Sequence, residues 1–399
     1  MRTLYLFPIL YPYSRFGECF LEEELRYIAP LFDKVVVIPL RKEVPEQKTM
    51  PENCTVVEPL MENKLKLVLK ALFNLSVARK MIPEFLKEKV YLDRVKFLLW
   101  AKGFAECNAI KNSSAIRKIE KSLQPNDVCY FYWGKWSNVL SLFWKGRCHM
   151  VSRFHGFGDL WEDIYHEYFP LRKQVLESLA RAVFISQKGE RYFQQKYPGC
   201  RTMYAPLGSF TVGVPEKKRD GIIRIVSCST IIPLKRVDLI LRSLDLLTDM
   251  RIEWTHIGGA EVGLDIRFQE LQEAVYKKNN NNLTVNLLGT LPHEKVMEYY
   301  SNNPFDLFVN LSTVEGVPVS IMEALSCNIA IVATDVGGTC EVVTPETGVL
   351  VSANPTEQEV ANAVRKCAKL DLNPRAYWEK HFDAEVNYSK FANFLDELD

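Results

Sequence analysis

Two glutamates raise the first chemical question in this sequence. Glu315 and Glu323 bracket the run Val314-Glu315-Gly316-Val317-Pro318-Val319-Ser320-Ile321-Met322-Glu323-Ala324-Leu325. Pro318 suits the first position of a helix, where its missing N–H costs nothing, so the run predicts a helix over about 317–326. Glu315 then stands just outside the helix start and Glu323 about two turns further in. Carboxylates separated along the axis in this way do not form a shared-proton dyad. They suit two hydrogen-bond acceptors holding different hydroxyl-bearing parts of one elongated ligand. Gly316 lets a ligand approach the backbone closely, and the free N–H groups of the first turn favour an anion such as a phosphate. Alone, the pair also reads as an ordinary glutamate at a helix start with a second one in mid-helix.

A second candidate is Ser229-Thr230-Ile231-Ile232-Pro233-Leu234-Lys235-Arg236-Val237-Asp238, a loop that enters a helix. Lys235 is a compact cation and Arg236 a two-toothed donor, and either could hold a diphosphate at the helix start. A third is Ser152-Arg153-Phe154-His155-Gly156-Phe157-Gly158-Asp159-Leu160, with His155 and Asp159 at the end of a strand. The aromatic run Tyr130–Trp136 offers Trp133 as a face for sugars or lipids, although such runs more often pack a core. Gly17, in the segment after the first strand, suits a tight loop with backbone N–H groups near a phosphate. No spacing resembles a zinc or EF-hand site, no Asp-x-Asp run is present, and no metal site is expected.

These residues need elements to hold them. Short apolar runs at Thr3–Phe7, Val35–Pro39, Val128–Tyr132, His149–Phe154 and Ala182–Ser186 alternate with helical stretches, which indicates βαβ units on a parallel sheet. The pattern restarts after a polar stretch, with strands expected at Ile222–Ser227, Arg251–Ile257, Leu283–Leu287, Leu307–Asn310, Ile329–Ala333 and Gly348–Val351. Amphipathic helices are expected at Val237–Leu247, Ile266–Lys277 and His293–Ser301. The result is two doubly wound α/β domains, at 1–207 and 208–376, with a terminal helix over 377–399 returning to the first. Ligands of such pairs are expected in the cleft between the domains.

Composition agrees with folded domains. The chain has 399 residues, 47% of them hydrophobic, with 50 Lys and Arg against 49 Asp and Glu. That balance argues against a disordered chain or a nucleic-acid binder driven by a basic tail. Ten cysteines, scattered without C-x-x-C pairs, suit reduced thiols in the cytoplasm. Pro8 interrupts the apolar start, which reads as a buried first strand rather than a signal peptide. Residues 61–104 are basic and rich in Leu and Phe; they read either as ordinary surface helices or as a face for an anionic membrane.

Several motifs together resemble the family 4 retaining glycosyltransferases of the GT-B type. Glu315 to Leu325 is similar to that family's paired-glutamate motif, Ile257-Gly258-Gly259 to its strand-end glycine loop, Leu288-Gly289-Thr290-Leu291 to its next strand–loop segment, and Thr334-Asp335-Val336-Gly337-Gly338-Thr339-Cys340-Glu341 to its glycine-rich turn. The resemblance covers about residues 222–352. It implies two facing Rossmann-like domains, a nucleotide-sugar donor, a glycan or lipid-linked acceptor, and no cofactor. By it, Glu315 would contact donor-sugar hydroxyls, Glu323 the ribose, Gly17, Leu291 and the backbone of Gly316, Val317 and Pro318 other parts of the donor, and Lys235 the diphosphate. Thr230 stands where the family has an Arg, which leaves Arg236 as the substitute. His155 would lie near the reacting sugar, with Asp159 and Trp133 on the acceptor side. The setting the family suggests is bacterial surface-glycan synthesis at the inner face of the cell membrane. The competing readings are a nucleotide-sugar epimerase of the same shape and a catalytically silent sugar-binding subunit.

Overall fold

The computed structural model describes residues 1–14, 18–61, 75–156, 158–163, 167–259, 270, 273 and 282–398. Two parallel sheets organise them. The first contains β1 (Thr3–Phe7), β2 (Lys34–Val37), β3 (Cys54–Val56), β4 (Val128–Phe131), β5 (His149–Phe154), β6 (Arg181–Phe184) and β7 (Thr202–Tyr204), in the order β3-β2-β1-β4-β5-β6-β7. The second contains β8 (Ile222–Cys228), β9 (Arg251–Ile257), β10 (Leu283–Leu287), β11 (Leu307–Asn310), β12 (Ala330–Thr334) and β13 (Gly348–Val351), in the order β10-β9-β8-β11-β12-β13.

The strand sequences explain why both sheets are covered on both sides. On β1, Leu4 and Leu6 join one hydrophobic cluster while Tyr5 and Phe7 join another. On β2 and β4 the same split recurs, with Val35, Val37, Val128 and Tyr130 against Val36, Cys129 and Phe131. Alternate side chains point to opposite faces of a strand, so apolar residues at every position mean that helices cover both faces. In each sheet the strand order reverses beside the first strand, between β1 and β4 and between β8 and β11. The loops leaving the carboxyl ends at such a reversal diverge and open a crevice.

The chain forms two compact units, residues 1–205 with 388–399, and residues 206–387. In the second, Gly208 lies against the backbone of Ala384, and Trp378 Nε1 donates to Ser209 Oγ at 2.9 Å. In the first, Phe391, Ala392 and Leu395 of the helix Ala384–Asp396 pack into the cluster around Leu4 and Leu6. Arg2 pairs with Asp396 at 2.7 Å.

The strands read from the sequence are present, to within two residues at their ends. The structure adds β3 and β7, each three residues long and each at an edge of the first sheet. Helices occupy Val237–Asp245 and His293–Asn302. The one expected at 266–277 lies almost entirely outside the described residues. The motif helix begins at Val319 with Pro318 as its N-cap, so proline precedes the helix instead of opening it.

One polar feature is set deep in the first unit. Arg153 on β5 and Glu24 on the helix Cys19–Ile28 are both fully buried and paired, and Tyr130 OH donates to Glu24 at 2.9 Å. The guanidinium also lies 4.0 Å from the Phe391 ring centroid. Removing one partner of such a pair leaves an uncompensated charge in the core. Glu24→Leu is therefore expected to cost about 3–5 kcal/mol in urea unfolding, while the double variant Glu24→Leu/Arg153→Met recovers most of that loss.

Candidate functional site

In the second unit, Lys235 and Glu315 come from opposite sides of the strand-order reversal. Lys235 ends a short 3-10 turn, Pro233–Lys235, after β8, and Glu315 lies in the loop after β11. Lys235 Nζ meets Glu315 Oε1 at 2.6 Å, and Asn310 Nδ2 reaches the same oxygen at 3.3 Å. The two loops are joined by backbone as well, because Thr313 N–H donates to Leu234 O at 2.8 Å. A cation and a carboxylate thus stand side by side at the carboxyl ends of the two central strands, both only partly exposed.

Glycines make this close approach possible. Gly337 has a φ of +56°, and a Cβ there would lie 1.8 Å from Glu315 O. Its neighbour Gly338 donates its N–H to Gly316 O at 2.6 Å. The glycine-rich turn after β12 therefore cradles the backbone of Glu315 and Gly316. Gly258, with a φ of +140°, brings the loop after β9 against Ser229 O, where a Cβ would come to 1.9 Å.

Arg236 has a different task from the one its charge suggests. Its guanidinium donates to Leu311 O, to Ser312 O at 3.0 Å, to Ala353 O at 2.8 Å and to Asn354 Oδ1 at 3.4 Å. It ties the loops after β8, β11 and β13 together. As a holder of an anion it would first have to give up these four acceptors, whereas Lys235 would give up its contact with Glu315.

Glu323 lies one turn and more inside the motif helix, Val319–Ser326, and is nearly buried. His293 Nε2 meets its Oε1 at 2.7 Å. His293 opens the helix after Leu291 and Pro292, so the strand–loop segment around Leu291 reaches the motif helix through this contact. Burial, and then the charge of Glu323, push the Cys228 thiol up to about 12, while Lys235 pulls it down. Cys228, at the end of β8, therefore lies within electrostatic reach of both Glu323 and Lys235. Gly316 is half-buried and Val317 and Pro318 are buried in the turn between Glu315 and the helix. The first intrahelical bond, Ile321 N–H to Pro318 O, leaves the N–H groups of Val319 and Ser320 ahead of the ladder.

In the first unit, the loops after β1, β4 and β5 meet around His155. Its Nε2 lies 2.8 Å from Tyr132 O, which requires the proton on Nε2 and leaves a lone pair on Nδ1. The ring packs on Trp133, with centroids 4.3 Å apart. Burial, and then the charge of Arg153, lower its pKa to about 3. Asp159 is fully buried and accepts N–H groups of His155 at 3.1 Å, Gly156 at 2.9 Å and Gly134 at 3.3 Å. Its carboxylate organises the β4 and β5 loops, which places it as a positioning group, not as an acceptor contact. Trp133 Nε1 donates to Glu18 Oε1 at 2.5 Å, and the Glu18 carboxylate also takes the N–H groups of Ile9, Leu10 and Tyr11 at 2.6–2.8 Å. The amides of the β1 loop thus hold a carboxylate of the chain itself. Gly17 lies outside the described residues.

Sequence reasoning missed Asn310, His293 and Glu18 as members of these clusters. The signal for His293 was its place directly after Leu291-Pro292 at a helix start. Glu18 and Asn310 carried no signal short of the contacts themselves. Among the described residues no group of three or more His, Cys, Asp or Glu is placed to hold a metal ion.

Residues 214–381, most of the second unit, match the family described as glycosyl transferases group 1. The GPI3 subunit of phosphatidylinositol N-acetylglucosaminyltransferase from Saccharomyces cerevisiae is 31% identical over 186 residues, 47% of this chain and 39% of that protein. The lipopolysaccharide core biosynthesis mannosyltransferase LpsB of Rhizobium meliloti is 32% identical over 175 residues, 41% of this chain and 48% of that protein. The chain thus spans less than half the length of these curated relatives. Among solved structures, sucrose-phosphate synthase from Thermosynechococcus elongatus has a TM-score of 0.70 at 15% identity, covering 99% of this chain and 98% of that one. Anabaena HepE in complex with UDP has a TM-score of 0.66 at 16% identity, with all of both chains covered. These likenesses establish a GT-B fold, built of two parallel-sheet Rossmann-like domains.

Two outcomes follow from this geometry. Gly337→Ala forces a side chain against Glu315 O at a positive φ; it should cost about 1–3 kcal/mol in thermal denaturation, and the 15N–1H cross-peaks of Glu315 and Gly316 should shift. The His155 ring should keep neutral-imidazole NMR shifts down to pH 5. With a folded pKa near 3 against an ordinary 6.5, the unfolded chain takes the proton first, so this ring removes stability as pH falls below about 6.5.

Proposed function

We propose that this chain is a glycosyltransferase that moves a sugar from a nucleotide-sugar donor to a glycan or lipid-linked acceptor. The observation that carries the reading is the Lys235–Glu315 contact at the strand-order reversal of the second unit, inside the stretch that matches glycosyl transferases group 1. A nucleotide sugar presents hydroxyls directly beside a diphosphate. A carboxylate and a cation 2.6 Å apart offer both kinds of partner in that sequence.

In this reading Lys235 and the first-turn N–H groups of Val319 and Ser320 stabilise charge on the departing diphosphate. Glu315 accepts hydrogen bonds from the sugar, and Glu323 from the ribose. His293, already on Glu323, then holds that carboxylate in place. Arg236 acts at one remove, by fixing the loops that carry Lys235 and Glu315. In the first unit, the Trp133 face and the neutral His155 imidazole, with its Nδ1 lone pair, are the groups proposed to meet the acceptor. His155 acts there as a hydrogen-bond acceptor, because its pKa keeps it from carrying a proton at neutral pH. The reaction is proposed to retain the anomeric configuration and to rely on these cations and dipoles without a divalent ion.

The relatives bear on the acceptor. One is named for phosphatidylinositol and the other for the lipopolysaccharide core, and both phrases describe glycans built on lipid. HepE has been solved with UDP and with UDP-glucose, which supports a nucleotide-sugar donor. Glycolipid synthesis is the setting these names favour, and the cytoplasmic face of the cell membrane is the place proposed for it here. Among the described residues no helix is long and apolar enough to cross a membrane.

Incubation with a panel of nucleotide sugars, with and without lipid-linked acceptors, should give donor-dependent glycoside formation and release of nucleoside diphosphate. Turnover should survive EDTA. Lys235→Ala is expected to lower kcat/KM by roughly 100-fold or more, on the scale of losing one electrostatic stabiliser of the transition state. Glu323→Ala should act mainly on KM for the donor. Absence of both turnover and donor binding with every nucleotide sugar would exclude the transferase reading. Interconversion of the sugar without an acceptor would point to an epimerase, and donor binding without turnover to a sugar-binding subunit.

A further inference from the structure

We propose that the tip of a helical hairpin in the first unit, between about residues 75 and 98, docks on a lipid bilayer that carries anionic headgroups. The hairpin consists of the helices Leu75–Lys87 and Arg94–Asn112, joined by a 3-10 turn at Val90–Leu92. Its inward side is fully accounted for. Val77, Met81 and Cys107 pack with Val139, Leu171 and Val175, and the Glu84 carboxylate accepts Leu171 N–H at 2.7 Å. Phe85 and Trp100 brace the two helices against each other with ring centroids 4.6 Å apart.

The outward side is unlike that of an ordinary surface helix. Leu75, Ile82 and Leu86, at i, i+7 and i+11, fall within roughly 40° of one another on the helical wheel. Of the buried residues of this helix, Val77 and Met81 lie roughly 160° and 120° round the wheel from Leu75, and Ala78 roughly 60°, so the exposed stripe flanks the buried one. All three are exposed, Leu75 at 65% and Leu86 at 60%. The turn continues this stripe with Tyr91 and Leu92, the latter 71% exposed, and the second helix with Val95 and Leu98, each 58% exposed. A helix of a soluble domain needs one apolar stripe, and this one carries a second beside it that is left exposed.

Charge identifies the occupant. Arg79, Lys87, Lys89, Arg94 and Lys102 are exposed among these apolar residues. The acids nearby are already engaged, since Glu88 pairs with Lys96 at 2.8 Å and the Asp93 side chain accepts Lys96 N–H at 3.0 Å. Apolar side chains at the tip, ringed by cations, match a bilayer interface in which aliphatic and aromatic groups enter the acyl boundary while Lys and Arg meet acidic headgroups. Two copies of the same cationic face would repel each other. The surface narrows the membrane reading of residues 61–104 to named side chains within the described residues, and it stands independently of the transferase reading, because binding to lipid needs neither donor nor turnover.

The test is co-sedimentation of the full chain, without any nucleotide sugar, with vesicles of phosphatidylcholine alone or mixed with phosphatidylglycerol. The chain should bind the mixed vesicles at low salt and release them near 1 M salt, where charge is screened. Lys87→Glu/Lys89→Glu/Arg94→Glu should weaken that partition by about tenfold or more. Leu86→Ser/Leu92→Ser/Leu98→Ser should weaken it comparably, with circular dichroism and Tm unchanged because the side chains are exposed. As a second readout, the emission of the indole introduced by Tyr91→Trp should shift to the blue on mixed vesicles and be quenched by brominated lipid. Equal partition of wild type and either triple variant would overturn the proposal. So would a concentration-dependent dimer that the serine variant abolishes, which would assign the face to a second copy. Loss of vesicle binding with turnover of a soluble acceptor intact would support this surface while leaving the transferase reading untouched.

Discussion

The reversal of strand order between β8 and β11 is the constraint on which the second unit's chemistry depends. A parallel sheet buried on both faces can offer backbone and side chains to a ligand only beyond its strand ends, and at the reversal two such ends part. Lys235 arrives on one and Glu315 on the other. Everything nearby serves to keep those two loops in register. From the β8 loop Arg236 binds carbonyls of the β11 and β13 loops, Thr313 joins the β11 loop to the β8 loop, and Gly337 and Gly338 close on the backbone of Glu315 and Gly316.

The first unit uses charge in another way. Its carboxylates are turned towards the chain itself, Glu18 onto three successive amides of the β1 loop, Asp159 onto amides of the β4 and β5 loops, and Glu24 onto Arg153. Beside these anchors stand Trp133 and His155, packed on each other over the buried Tyr132, with a neutral imidazole. That pair presents faces and one lone pair, whereas the second unit presents a cation and two carboxylates. The division of labour proposed above follows from that contrast.

Much of this was legible in the sequence, because parallel strands buried on both faces leave continuous apolar runs. Leu307–Asn310 and Gly348–Val351 could be read to the residue. Edge strands could not: β3 and β7 have three residues and one neighbour each, and so carry neither the length nor the full apolar pattern. Glu315, Glu323 and Lys235 each had a simpler reading alone and stood out because the motifs around them, taken together and in order, resemble those of one family. The roles of Arg236 and Asp159 were not legible, since charge alone does not reveal whether a group faces a ligand or a backbone carbonyl or amide. His293 carried a signal in its place after Leu291-Pro292, but only the fold brings it to Glu323.

The central claim is that the loops meeting at the β8–β11 reversal form the donor site. Hydrogen–deuterium exchange on the full chain, with and without a nucleoside diphosphate sugar that it turns over, tests this most directly. The account predicts slowed exchange at amides of 229–237, 313–322 and 337–339. Protection that left these three segments unaltered, under conditions where the donor is consumed, would contradict it.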